Sequence, residues 1–173
     1  CVNYTFWGVG MPARKVLLLC GGQSEEHDVS LSSARSVLKV SGPGIEITPL
    51  VIDRAGKWLS PKQSAQLLDN QNFPSADLPS QSGLGIASLE TQLYDVIFPL
   101  FHGPYGEDGC IQGLLKMLDL PHVGSGTLGS SVGMDKIMMK QIFAAYGLPQ
   151  VDFKPILSTN WNTKPEAVLE NLA

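Results

Sequence analysis

Two short, glycine-bearing segments hold most of the side chains that could do chemistry. Gly21 to Ala34 reads GGQSEEHDVSLSSA, which sets Glu25, Glu26, His27 and Asp28 between an apolar run and a helical pattern. His102 to Gly109 reads HGPYGEDG and sets His102 and the pair Glu107-Asp108 among glycines. A carboxylate in such a turn has two uses. It can hold a cation such as an ammonium group, or it can complement the positive end of a helix dipole. Spacing alone leaves both open, since Asp28 or Ser30 can cap the first helix and Asp108 the second. His102 is placed differently. An imidazole at the end of an apolar run, next to glycine that lets backbone approach a ligand, suits binding better than core packing.

Other motifs are weaker. Gly124-Ser125-Gly126-Thr127-Leu128-Gly129 has GxGxxG spacing, but the run before it is very short and no acidic residue ends a strand about 20 positions later, so a dinucleotide role is rejected. A phosphate-binding Walker loop also fails, because Gly133 is followed by Met134 and not by Lys. Lys136, on a helical pattern, reads by position as an exposed, solvated lysine.

The elements that must position these residues follow from periodicity. Lys15 to Cys20 is a short apolar run stopped by Gly21-Gly22, as expected of a strand buried on both faces. Val29, Leu31, Ala34, Val37 and Leu38 make a helical stripe with serines and Arg35 between them. Ile45 to Ile52 reads as a strand that enters a hairpin through Asp53-Arg54-Ala55-Gly56 to Lys57-Trp58-Leu59. Asp69 to Ser88 has loop composition. Tyr94 to Leu100 is a second buried strand, and Ile111, Leu114, Leu115 and Leu118 mark the helix after it. Pro121 to Val123 is a short strand, followed by a Gly-rich stretch to Gly133. Met134, Ile137, Met138, Ile142 and Ala145 then form a helix ended by Gly147 and Pro149. Beyond it, Val151 to Leu157 reads as a strand and Pro165 to Leu172 as a helix.

Repeated strand-loop-helix units imply an α/β fold with a parallel sheet and flanking helices. Ligands of such sheets bind beyond the carboxyl ends of the strands, where both polar segments lie. The 173 residues suffice for one domain and part of a second. A net charge of −4 and 12 scattered basic residues argue against a nucleic-acid surface. Cys1, Cys20 and Cys110 are too far apart for a zinc site and fit reduced thiols, no apolar run has the length of a membrane span, and the expected setting is cytoplasmic.

The motifs GGQSEEHDVSLSSA, FPLFHGPYGEDGCIQGLL and PHVGSGTLGSSVGMDKIMMK resemble, in order, the N-terminal signatures of D-alanine–D-alanine ligases of the ATP-grasp superfamily. The resemblance covers about Lys15 to Leu157. It implies a Rossmann-like pre-ATP-grasp domain over 15–148, followed at 149–173 by the start of a truncated ATP-grasp region; residues 1–14, which show neither helical nor strand period and hold Met11 just before the first strand, read by themselves as an upstream extension. The resemblance also implies an enzyme of peptidoglycan precursor synthesis that uses ATP and Mg²⁺ or Mn²⁺ and acts as a homodimer. By motif position Glu26 matches the carboxylate on the ammonium of the first D-alanine, and Val29 the apolar contact to its methyl. His102 matches the histidine beside that substrate, Glu107 a carboxylate that orders the loop, and Lys136 a lysine that reaches the nucleotide phosphates. Phe101 and His122 depart from the usual Leu and Tyr, and His122 reads as a half-buried strand-end imidazole.

None of these residues is expected to bind metal. The magnesium carboxylates and adenine pocket are expected after Ala173, so the 173 residues alone are expected to lack turnover. A D-alanine–D-lactate type ligase and a non-catalytic binding module are the competing readings.

Overall fold

The computed structural model describes residues 12–69 and 93–172; most of the expected extension and of the expected loop at Asp69 to Ser88 lie outside them. Contacts divide the chain into two compact units, Cys1–Ser131 and Val132–Ala173.

The first unit is built on three parallel strands, β1 (Arg14–Gly21), β2 (Ile45–Ile52) and β3 (Val96–Pro99), in the order β2-β1-β3. Helix α1 (His27–Val40) connects β1 to β2, α2 (Pro61–Asp69) follows β2, and α3 (Cys110–Met117) follows β3. Registers run Leu18 to Pro49 on one side of β1 and Leu18 to Phe98 on the other. A parallel bridge from Ile97 to His122 extends the sheet at the β3 edge, where the short strand at Pro121 to Val123 is expected.

β1 shows why its sequence is apolar throughout. Leu17 and Leu19 join Leu50, Ile97, Ile111, Leu115 and Leu120 on the face that α3 covers. Leu18 and Cys20 join Leu31, Ala34, Val51, Leu67 and Leu68 on the face that α1 and α2 cover. A central parallel strand has no solvent face, so both sets of alternating side chains must be apolar. Burying each leucine contributes about 1.5–3 kcal/mol, enough to make β1 the organising strand.

The hairpin expected after β2 is a tight return. Asp53 Oδ1 accepts from the N–H groups of Ala55 and Lys57, and Trp58 makes an antiparallel bridge to Ile52. Helix α2 has no counterpart in the sequence reading. Its signal was present as a capping box: Ser60 Oγ accepts from Gln63 N–H, and Gln63 Oε1 accepts from Ser60 N–H.

Several expectations are corrected. Val29 is not on the buried stripe of α1 but 54% exposed, because the helix begins at His27 and turns His27, Ser30, Leu31 and Ala34 inward. The Gly-rich stretch before Gly133 is helical, forming α4 (Thr127–Met134), and Met134 belongs to it. A separate helix, α5 (Lys136–Ala145), starts where Asp135 Oδ1 caps the N–H groups of Ile137 and Met138. It ends as expected at Gly147, whose φ of +66° permits the closing bonds Gly147 N–H to Ala144 and Leu148 N–H to Phe143. Val151 to Leu157 is not a strand: no ladder pairs it among the described residues, and an unpaired extended segment has no sheet energy. Helices α6 (Ser158–Thr163) and α7 (Pro165–Leu172) follow.

Candidate functional site

The order β2-β1-β3 puts the topological switch at the carboxyl ends of β1 and β3. The chain leaves β1 toward β2 on one side and leaves β3 on the other, and the two departing loops open a crevice. Those loops carry Glu26 and His102.

Glu26 occupies the N-cap position of α1, yet its side chain makes no capping bond. Neither residue expected to cap this helix does so. Asp28 pairs instead with Arg54 at 3.0 Å on the surface, and Ser30 is turned into the protein. The Glu26 carboxylate lies against the backbone of Gly103: a Cβ there would stand 2.6 Å from Glu26 Oε2. Gly103, with φ +74°, is also in the left-handed region that glycine occupies without penalty.

Three serines join the two loops. Ser24 Oγ donates to the His102 carbonyl at 2.7 Å and accepts from the Glu26 N–H at 3.2 Å. Ser30 Oγ donates to the Leu100 carbonyl at 2.5 Å and accepts from the Gly21 N–H at 2.8 Å. Ser33 Oγ lies 3.2 Å from His102 Nε2. His27, buried beside them, donates from Nδ1 to the Gly22 carbonyl at 2.7 Å. In the sequence Ser30 and Ser33 read as the polar face of α1 and Ser24 as part of the turn before it. The carbonyls they reach are about 70 residues or more away in the chain, which periodicity does not encode.

The loop from His102 to Gly109 is held from within. Glu107 Oε2 accepts from the Gly103 N–H at 2.8 Å, and Glu107 N–H donates back to the Gly103 carbonyl. Gln112 Nε2 donates to the Gly106 carbonyl at 2.8 Å. Asp108 does not occupy the N-cap of α3, a position that belongs to Gly109 at φ +95°, although from one residue earlier it accepts the first N–H of that helix, that of Cys110. Asp108 accepts from the N–H groups of Tyr105 and Cys110, at 2.8 and 3.0 Å. Burial works to raise the Asp108 pKa, but those backbone bonds, with the Cys110 thiol, outweigh it and hold the carboxyl below its ordinary range. The same contact raises the Cys110 thiol. Tyr105 sits at φ +66°, a strained conformation for a bulky side chain that the Asp108 bond helps to hold.

A cavity of about 240 Å³ adjoins this crevice, lined by Gly22, Ser24, Trp58, Phe101, His102 and Ile111 among others. His102 and Ser24 reach it, whereas Glu26, Val29 and Glu107 are not in its lining. The geometry thus brings Glu26, His102 and Glu107 to one pair of loops, around Gly103. Val29 is exposed in the first turn of α1. Lys136 belongs to the other unit, where it opens α5 and donates from Nζ to the Gly133 carbonyl at 3.0 Å. A hollow of about 260 Å³ in that unit, lined by Lys154, Asn160 and Lys164 among others, contains none of the expected site residues. Among the described residues no three His, Cys, Asp or Glu side chains group so as to hold a metal ion. No helix among them is long and apolar enough to cross a membrane.

The family described as D-ala D-ala ligase N-terminus matches residues 15–125. The D-alanine–D-alanine ligase of Deinococcus radiodurans is 45% identical over 158 residues, which is 90% of this chain and 45% of that protein. Among solved structures, the D-alanine–D-alanine ligase of Coxiella burnetii is similar with a TM-score of 0.68 and 31% identity, over 94% of this chain and 49% of that one. The VanG D-Ala:D-Ser ligase of Enterococcus faecalis is similar with a TM-score of 0.65 and 26% identity, over 93% and 50%. The chain spans about half the length of the curated relatives it matches.

Proposed function

The chain belongs to the D-alanine–D-alanine ligase family, whose N-terminal domain it carries, and from that premise we propose that it holds the first D-alanine of an ATP-dependent, ADP-forming ligase. The observation that carries this reading is the convergence of Glu26 and His102 on Gly103 at the carboxyl ends of β1 and β3. A carboxylate free of any capping bond, at the place where an open α/β sheet receives ligands, is available to an ammonium group.

In the proposed reaction the carboxylate of the first D-alanine takes the terminal phosphoryl group of ATP, giving an acyl phosphate and ADP. The amine of the second D-alanine attacks that carbonyl, and phosphate leaves with the carbonyl–oxygen bond to give the dipeptide. Glu26 pairs with the first ammonium and thereby directs the substrate carboxylate away from itself. His102 stands beside that substrate, with its ring set by Ser33. Val29 meets the methyl group, and Glu107 keeps the Gly103 N–H turned inward within the loop. Lys136 neutralises nucleotide phosphate. Mg²⁺, or Mn²⁺ in its place, supplies further charge neutralisation when bound.

Residues 15–148 are proposed as the substrate domain and 149–173 as the beginning of the ATP-grasp region, in a cytoplasmic homodimer that serves peptidoglycan precursor synthesis. The likeness to a D-Ala:D-Ser ligase favours a second reading of the nucleophile. Assays with D-serine and D-lactate beside D-alanine separate the three products.

Glu26→Gln tests the site. A charge-assisted hydrogen bond is worth about 1.5–3 kcal/mol, so this substitution in the full-length protein is expected to lower kcat/KM by about ten- to several-hundred-fold. Glu25→Gln, one exposed position earlier, is expected to leave the kinetics within about twofold. Thermal melting establishes that both variants are folded. If Glu25→Gln is the damaging change, the register is wrong by one; if neither matters, the assignment of Glu26 fails.

A further inference from the structure

We propose that Ser24 is a positioning residue of the amino-acid site, a single hydroxyl that sets the place of Glu26 relative to His102. The proposal rests on the reading of Glu26 given above. Ser24 itself is buried, 8% exposed, in a loop whose neighbours Gln23, Glu25 and Glu26 are exposed. Its Oγ uses both of its capacities across the crevice: the proton goes to the carbonyl of His102, and a lone pair receives the N–H of Glu26.

The geometry makes this bond a ruler between two loops 78 residues apart in sequence. The main chain of Glu26 is tied to Ser24, Ser24 to the main chain of His102, and the next residue, Gly103, is the surface on which the Glu26 carboxylate rests. A Cβ on Gly103 would approach the Ser24 side chain too, at 3.4 Å from its Cβ, so Ser24, Glu26 and Gly103 share one packed corner. Ser30 makes the neighbouring tie to Leu100 but is fully buried and reaches no candidate ligand-binding group, which leaves it a role in the fold. Ser24 bonds the main chains of His102 and Glu26 themselves, and Glu26 has no side-chain hydrogen bond at the helix cap to hold it instead.

Without the hydroxyl, the Glu26 N–H and the His102 carbonyl lose their common partner, and the carboxylate loses its fixed distance from Gly103. Contacts to an ammonium that exist equally before and during the reaction affect substrate half-saturation more than turnover. Ser24→Ala in the full-length protein is therefore expected to raise the D-alanine concentration for half-maximal rate by about five- to ten-fold, with kcat and the ATP requirement within about twofold. Ser24→Thr, which keeps the hydroxyl, is expected to recover most of the loss.

The double variant Ser24→Ala/Glu26→Gln is the decisive arm. If Ser24 acts through Glu26, the pair is no worse than Glu26→Gln alone, whereas independent effects multiply. Should Ser24→Ala fail to fold, Ser24→Cys, nearly the same shape with a much weaker donor, carries the same comparison. The proposal is overturned by an unchanged D-alanine requirement, by equal changes for D-alanine and ATP, or by multiplicative losses in the double variant. Glu26→Gln measured in parallel keeps the two failures apart: if it leaves the D-alanine requirement unchanged, the site reading falls; if it raises that requirement while Ser24→Ala does not, only the positioning role falls.

Discussion

Gly103 has no side chain where Glu26 needs room: a methyl group on its Cα would stand 2.6 Å from Glu26 Oε2. Gly103→Ala is expected to move the carboxylate and so to raise the D-alanine requirement of the full-length protein. It also forces a residue with a Cβ to φ +74°, a strain of about 1 kcal/mol or more. Gly44 isolates that second effect, since it has φ +96° and nothing within 4 Å of a Cβ. Gly44→Ala is expected to cost stability in thermal melts while leaving the D-alanine kinetics untouched. Equal kinetics for the two variants would show that the Glu26–Gly103 contact does not matter to binding.

The two described thiols are expected to differ in reactivity for different reasons. Burial pushes Cys20 up from 9.0 to about 12, against the weaker opposing charge of Arg35. Alkylation at pH 8, mapped by peptide mass, is therefore expected to miss Cys20 until the protein unfolds. Cys110 is exposed, and its thiol is raised first by its hydrogen bond to Asp108. It is expected to react slowly, and Asp108→Asn is expected to speed it several-fold. The sign for stability follows from Cys20, whose folded pKa lies above its unfolded value. What the neutral thiol contributes is complete below pH 9.0 and is lost as pH rises toward about 12. Cys20→Ala is expected to flatten the alkaline limb of a stability–pH curve, and an unchanged limb would contradict the burial account.

Lys136 is expected to act on nucleotide. The only hydrogen bond of its ammonium among the described residues is to the Gly133 carbonyl, one exposed contact that a phosphate can replace. In the full-length protein Lys136→Met is expected to raise the ATP requirement well before that for D-alanine. Equal effects on both substrates, or none, return Lys136 to the solvated helical lysine that its position alone suggests.

By itself the sequence determined β1, β2, β3, α1 and α3 of the first unit, though not α2, and the two loops that carry polar chemistry. A strand buried on both faces needs an unbroken apolar run such as Lys15 to Cys20, and a chain that leaves it for a helix needs the turn that Gly21-Gly22 provides. Such constraints act within a few residues and can be read along the chain. The motifs around Glu26 and His102 likewise identified the family, because their residues stand in a fixed local order.

Only the tertiary structure decided which polar groups turn inward and what they meet. Ser30 and Val29 are adjacent in α1, and local hydrophobicity would bury Val29; packing on the sheet buries Ser30, because the Gly21 N–H and the Leu100 carbonyl need a partner away from water. Asp28 lost its expected cap to a pairing with Arg54, which the turn after β2 delivers. Val151 to Leu157 has strand composition and lacks a paired neighbour among the described residues. Ser24, Glu26 and Gly103 meet because β1 and β3 are parallel neighbours, a relation set by strand order rather than by any spacing in the chain. Hydrogen bonds across such a seam depend on distances of about 3 Å between segments far apart in sequence, and only the packed sheet brings those segments within reach.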